Sequence, residues 1–554
     1  MKQRKLYSMK NLSVLAAALL FTFSACSTTE KADLIVHNAL VYTVDSGFTK
    51  AEAFAVKDGK FLKTGSSDEI LKEFEADEVI DAGGKAVYPG FYDSHAHFFG
   101  LGEALDAADL TGASSFEEVV ERLKEFQQKN PAVKWIFGRG WDQNKWPGKE
   151  FPTNALLNEA FPDTPVFLSR VDGHAAIVNN KAMEVAGLTA VQAVEGGLIV
   201  AHNGKPSGVL VDNAVNLVSK AIPAATEDDM RRQLLKAQDS LLAVGLTTVA
   251  DAGLGRTQIE LLKKMYADSS LVIRDYAMVA LSQENLDSYL KEGIYESEKL
   301  NVRSFKLMAD GALGSRGACL LHPYADAATR GFLLLSPAML DSAVARIAAS
   351  DFQANTHAIG DSSNRVMLDI YGKYLEGEND RRWRIEHAQI IAPGDFQKFA
   401  KFSIIPSVQP THATSDMYWA GNRLGAERLK GAYAYNDLLK AYGMLALGSD
   451  FPVEHFNPLY GFHAAVARVD AQGYPKGGFQ PENAITREEA LKGMTIWSAF
   501  ASFEEKTHGS IEAGKAADFI VMEQDIMEIP HDQIRNTRVI RTVIAGDTVF
   551  ELKD

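Results

Sequence analysis

The sequence predicts an α/β protein: a (β/α)8 barrel, a small β-sandwich built from both chain ends, and an α/β insertion after the first barrel strand. Three observations predict it. First, from about residue 228 onward strand-like and helix-like runs alternate: TTVADAG, VIRDYAMVA, VRSFKLMADG, FQANTHAIG, RWRIEHAQI, FSIIPSVQP and MLALGSDFP are apolar β-type runs separated by amphipathic helical ones. With the earlier run VYPGFYDSHAHF at 87–98 they make eight strands. Such alternation argues for a parallel sheet, and eight units favour a barrel over an open doubly wound sheet. Second, histidines and an aspartate stand at the ends of these strands. Third, both chain ends alternate apolar and polar residues around Asp-Gly and Gly-Gly turns, and neither end alone has enough strands to bury a core.

Taken in order, the chain opens with Lys2, Arg4, Lys5 and Lys10, then an apolar run from Leu12 to Phe23, then Ser24-Ala25-Cys26. This layout predicts a signal peptide over 1–25, with a lipobox-like cysteine, Cys26, as a lipid-bearing mature N-terminus. Residues 26–32 read as a tether. The protein is expected to be exported and anchored on a membrane; a soluble secreted form is the alternative. Residues 33–88 and 503–554 are assigned to the sandwich, and 89–502 to the barrel, with the insertion at about 100–240. Within the insertion, SFEEVVERLKEFQQ predicts an amphipathic helix with Ser115 near its N-cap.

Composition narrows the function. The 554 residues are 46% hydrophobic and 23% charged, which is ample for a core and two or three domains. A net charge of −15 and the lack of a long basic run exclude a nucleic-acid surface. The two cysteines, Cys26 and Cys319, exclude a disulfide framework.

The chemistry lies at the strand ends. His95 and His97, two residues apart, point to the same side of a strand and can grip one metal ion, for which neutral imidazole is a good ligand. His357 and His387 end the fifth and sixth strands; they would hold a second ion, complete the first ion's shell or bind substrate. Asp450, on the eighth, is acceptor-only when ionised. It can touch a metal, take a proton from bound water and pass it to a leaving nitrogen. A metal lowers that water's pKa from 15.7 to roughly 7. Lys306, on the fourth strand, has two readings: an unmodified lysine paired with Asp310 or substrate, or a carbamylated lysine whose new carboxylate bridges two metals.

The phrases YPGFYDSHAH, KLMADGALGSRGA, THAIGD, IEHAQ and GSDFPV together resemble the amidohydrolase superfamily, in the amidohydrolase-3 branch that includes N-substituted formamide deformylases. The resemblance implies a metal-dependent hydrolase of small-molecule amides. It implies one or two divalent ions, zinc first, held by His95, His97, Lys306, His357, His387 and Asp450, with a carbon dioxide-derived carbamate on Lys306. A homodimer is left open.

Substrate contacts are expected from the insertion, which would cover the barrel mouth: Trp141, Asp142, Asp172 and His174. The alternative is that Trp141 packs in the insertion's own core and His174 caps a turn. The glycine-rich run ADGALGSRGA lacks the lysine and helix start of a phosphate loop, so it reads as a loop placing Asp310 and Arg316 near substrate. Cys319 reads as packing. After the seventh strand, His412 and Asp416 offer polar contacts, and Tyr418 and Trp419, with Trp135 and Trp146 of the insertion, hint at an apolar substrate. The leading function is amide C–N hydrolysis. The alternatives are an esterase, lactonase or phosphoesterase on the same barrel, or a non-catalytic surface lipoprotein.

Overall fold

The computed structural model describes residues 29–553. The expected signal peptide, and Cys26 as its lipid site, lie outside the described residues. Eight parallel strands form the central sheet: β1 (Phe91–Ala96), β2 (Leu246–Leu254), β3 (Arg274–Ala280), β4 (Leu300–Met308), β5 (Gln353–Ala358), β6 (Arg384–His387), β7 (Ile405–Val408) and β8 (Ala446–Leu447). Each pairs with the next in sequence order. The two edges meet where Asp450 N–H donates to the His95 carbonyl at 2.7 Å and His97 N–H to the Phe451 carbonyl at 2.9 Å. The predicted (β/α)8 barrel is therefore the observed one, and closure sets His95, His97 and Asp450 side by side.

Alternation along the strands divides the packing. Tyr92, Ala250, Ala252, Tyr276 and Met278 fill the barrel interior with Ala499. Their neighbours Val249, Ala277 and Val279 face outward, into the core shared with the helices. Helix α1 (Phe98–Asp106) follows β1 directly, and α2 (Glu227–Leu242) precedes β2. Thr226 caps α2 in a reciprocal capping box with Asp229, whose charge also suits the positive end of the helix. The two helices approach so closely that a Cβ on Gly102 would stand 2.8 Å from the Gln233 backbone.

The insertion between α1 and α2 is a six-stranded sheet in the order Gly197–His202, Lys205–Asp212, Ala175–Val178, Val166–Arg170, Ile136–Trp141, Ala108–Asp109. Its sheet thus spans 108–212, inside the expected 100–240, because α2 packs back on α1 and the barrel. The chain ends build two further sheets. One is Lys60–Gly65, Ala53–Lys57, Glu30–His37, Phe74–Asp81; the other is Asp547–Glu551, Val539–Ile544, Phe519–Met522, Ala86–Pro89, Leu40–Tyr42, Lys50–Ala51. Phe519 from the C-terminal end packs edge-on against Phe54 at 4.9 Å between ring centres. The C-terminal strands begin at Phe519; Ile511 and Ala517 before them already pack in the sandwich core, while Ala499 belongs to the barrel floor.

Candidate metal centre and active site

The strand ends pin the tautomers of two histidines. His95 is wholly buried, and its Nδ1–H donates to Glu386 Oε2 at 2.6 Å. Its Nε2 is therefore a lone pair, and it accepts a hydrogen bond from Lys306 Nζ at 3.0 Å. His97 Nδ1–H donates to the Ala252 carbonyl at 3.0 Å, which aims Nε2 at Asp450 Oδ1, 3.1 Å away. His95 Nε2 lies 3.5 Å from the same oxygen. Nitrogens with their N–H bonds directed elsewhere thus converge on a carboxylate, and such a contact needs a proton or a cation at its centre.

Two more imidazole nitrogens support that reading. His357 Nε2 and His387 Nδ1 are buried without a hydrogen-bond partner. The ring centres of His95 and His387 are 4.9 Å apart, and those of His357 and His387 are 4.5 Å apart. His95, His387 and Asp450 offer ligand atoms within 4.8 Å of one another. Buried orphan nitrogens beside a carboxylate are a donor set that fits a divalent ion such as zinc. His387 (φ 71°) and Asp450 (φ 62°) hold left-handed backbone, which turns their side chains out of the strand direction at this point.

The electrostatics favour ligand forms. Burial, with the nearby Lys306 charge, pushes His95 down to about 4. Burial holds His357 and His387 well below the usual imidazole range. Burial also lowers the Lys306 ammonium to about 8, though Glu386 and Asp450 pull the other way. Against the opposing effect of burial, the charge of Arg384 and the hydrogen bond from His95 hold Glu386 at about 2. Arg384 Nε contacts Glu386 Oε1 at 3.1 Å. Asp450 stays well below the usual carboxylate range despite burial, through His412, His97 and the other imidazoles.

A cavity of about 700 Å³ opens above these groups, walled by the barrel and the insertion. His95, His97, Lys306, His357, His387 and Asp450 all line it, as do Asp172, His174, His412, Asp416, Tyr418 and Trp419. His174 reaches over from the insertion, its ring centre 5.0 Å from that of His357. Its Nδ1 is held by buried Asp212 at 2.7 Å. His412, on the helix Pro410–Asp416, bridges Asp450 Oδ2 (3.4 Å) and Glu454 Oε1 (3.2 Å). Burial works against its charge, but the hydrogen bonds to Asp450 and Glu454 push His412 up to about 10. Arg170 is buried between Asp142 and Asp172 and pairs with both.

Three expected substrate residues are placed otherwise. Trp141 is fully buried in the insertion core, where its Nε1–H donates to the Leu168 carbonyl at 2.9 Å. Asp310 is fully buried and accepts from the backbone N–H of Cys319, Ile359 and Gly360 and from the Ser363 hydroxyl. Its oxygens tie a loop down instead of facing the cavity. Arg316 pairs with Asp326 at 3.1 Å, away from the cavity lining. Conversely, the sequence reading passed over Glu386, although a carboxylate in the middle of the buried strand RIEH was a visible signal. It also passed over Glu454 and Arg139.

A closed (β/α)8 barrel with histidines and an aspartate gathered at its strand ends, able to hold a metal ion, is the arrangement of a metal-dependent hydrolase. The model of the amidohydrolase family matches residues 78–550, and the chain belongs to that family. It is 34% identical over 541 residues to Protein LONG AFTER FAR-RED 3 of Arabidopsis thaliana, covering 94% of this chain and 92% of that protein. It is 28% identical over 546 residues to the N-substituted formamide deformylase of Arthrobacter pascens, covering 94% and 99%. A solved structure, an uncharacterized metal-dependent hydrolase from Pyrococcus horikoshii, superposes with a TM-score of 0.75 at 29% identity, covering 90% of this chain and 99% of that one.

Proposed function

We propose that the protein hydrolyses a C–N bond of the amide type in a small molecule, using one or two divalent ions, zinc first. The observation that carries this reading is the convergence of His95, His97, His387 and Asp450, with orphaned imidazole nitrogens, at the floor of one cavity. His95, His97 and Asp450 would hold one ion; Lys306, His357 and His387 would hold a second or complete the shell. When bound, the ion polarises the scissile carbonyl and acidifies the attacking water.

The remaining steps belong to side chains. Asp450 takes a proton from the attacking water and returns it to the leaving nitrogen. His412 holds Asp450 Oδ2, which fixes the carboxylate plane and leaves Oδ1 on the His95 and His97 side. Glu386 holds the tautomer of His95. His174 and Asp172 contact the substrate from the insertion side, where they line the cavity. The nearby formamide deformylase is named for amide chemistry, which supports the C–N bond over an ester.

Replacing Asp450 with asparagine in zinc-loaded protein tests this. Turnover of a panel of N-acyl and N-formyl amides should fall by about 10²- to 10⁴-fold, with metal content unchanged by elemental analysis. Undiminished turnover would remove Asp450 from its role. Faster wild-type turnover of matched esters than of the amides would move the reading to an esterase.

A further inference from the structure

Arg139 stands on Ile136–Trp141, the insertion strand next to the sheet edge, and lines the cavity. Its Nε–H donates to the Pro452 carbonyl at 3.4 Å and its Nη2 to the Val171 carbonyl at 3.2 Å. Pro452 is two residues beyond Asp450, so the guanidinium lies beside the catalytic end of the barrel. Among the described residues it makes no ion pair; Asp450, Asp172 and Glu103 act on it only from a distance. Its neighbour Arg170 is the contrast, enclosed by Asp142 and Asp172. Of the other cations on the wall, Lys306 belongs to the metal end, Arg535 lies over the Tyr460 ring at 3.7 Å, and Lys145 sits exposed at the rim.

Gly173 (φ 71°) adjoins this guanidinium: a Cβ there would come 3.6 Å from Nη2 and 3.7 Å from Nη1, so the glycine puts no side chain against the fork. Guanidinium presents five donors in a plane, and two on backbone carbonyls leave the Nη1 side for a planar oxyanion. A half-buried arginine with no carboxylate of its own, beside a reaction centre, is the complement of an anionic substrate group.

We propose that Arg139 anchors a carboxylate of the substrate, so that the preferred amides carry a carboxylate a few bonds from the scissile C–N bond. This rests on the amide-hydrolase reading and names its substrate class.

The test uses matched pairs: N-formyl- and N-acetylphenylalanine against the same compounds as primary carboxamides, with zinc-loaded full-length wild type, Arg139→Met and Arg139→Lys. Wild type should prefer the carboxylates, and Arg139→Met should lose roughly 30-fold or more in kcat/KM on them, mainly through KM, with little change on the carboxamides. Arg139→Lys should recover part of that loss, since it keeps the charge but not the fork. Equal losses on both members of a pair would show that Arg139 only clamps the insertion to the barrel, and would overturn the proposal. Calorimetric binding of the same pairs to the Asp450→Asn protein gives a reading that needs no turnover. A carboxylate preference there that Arg139→Met abolishes supports the anchor even if none of these amides is cleaved, and no preference sinks it while leaving the hydrolase reading standing.

Discussion

Glu386 shapes this site without being one of the expected ligands. It fixes the His95 proton on Nδ1 at 2.6 Å, and so leaves Nε2 for a metal. Partners of this kind typically raise metal affinity 10- to 100-fold. Glu386→Gln should therefore weaken zinc binding by about that factor, measured by competition with a chelator; unchanged affinity would make Glu386 only a partner for Arg384. Lys306 carries the second test at this scale. Burial lowers it to about 8, so roughly a tenth of the amine is neutral at pH 7 and open to carbon dioxide. Lys306→Ala should lower metal occupancy, and added short carboxylates should restore part of it. Full occupancy without them would argue against a carbamate bridge. The ligands were legible in the sequence because strand periodicity puts His95 and His97 on one side. The Glu386 carboxylate was visible within RIEH, but its pairing with His95 was not, because the two lie 291 residues apart.

The loop after β4 shows what one buried carboxylate does for a whole element. Asp310 accepts from the N–H groups of Cys319, Ile359 and Gly360, at 2.7, 3.0 and 2.9 Å, and so fastens the glycine-rich loop to the end of β5. Leaving a buried N–H unsatisfied costs about 1–3 kcal/mol. Asp310→Ala strips three at once and should destabilise the protein by about 3 kcal/mol or more, seen as a lower urea midpoint. A shift under about 1 kcal/mol would mean that water replaces the carboxylate there. The local reading gave this aspartate to the substrate because its position, after a strand end, is where barrel sites form. The fold gave it to backbone groups on two other segments. Of the two readings of Trp141 the fold took the second, packing in the insertion core, because aromatic content cannot say which face of an inserted sheet looks inward.

Across the whole molecule, the chain ends close on each other. Strands Phe519–Met522, Val539–Ile544 and Asp547–Glu551 supply half of the six-stranded sheet, and Asp518 pairs with Arg274 of the barrel at 2.9 Å. Removing residues 519–554 would leave the apolar strand Ala86–Pro89 as an unpaired edge of the kind that aggregates. Chain truncated at this point should fail to elute as a folded species in size-exclusion chromatography. A soluble, metal-binding truncation would show that the barrel stands without its sandwich.

Read by itself, the sequence determined the barrel and the order of its candidate ligands. Strand–helix alternation is local, and it places the last residues of each strand at one end of a parallel sheet. Tertiary structure alone decided which polar groups were already satisfied: Asp310 by backbone, Arg170 by two carboxylates, Arg139 by no carboxylate at all. Those outcomes depend on contacts between segments far apart in the chain, and no local pattern encodes them.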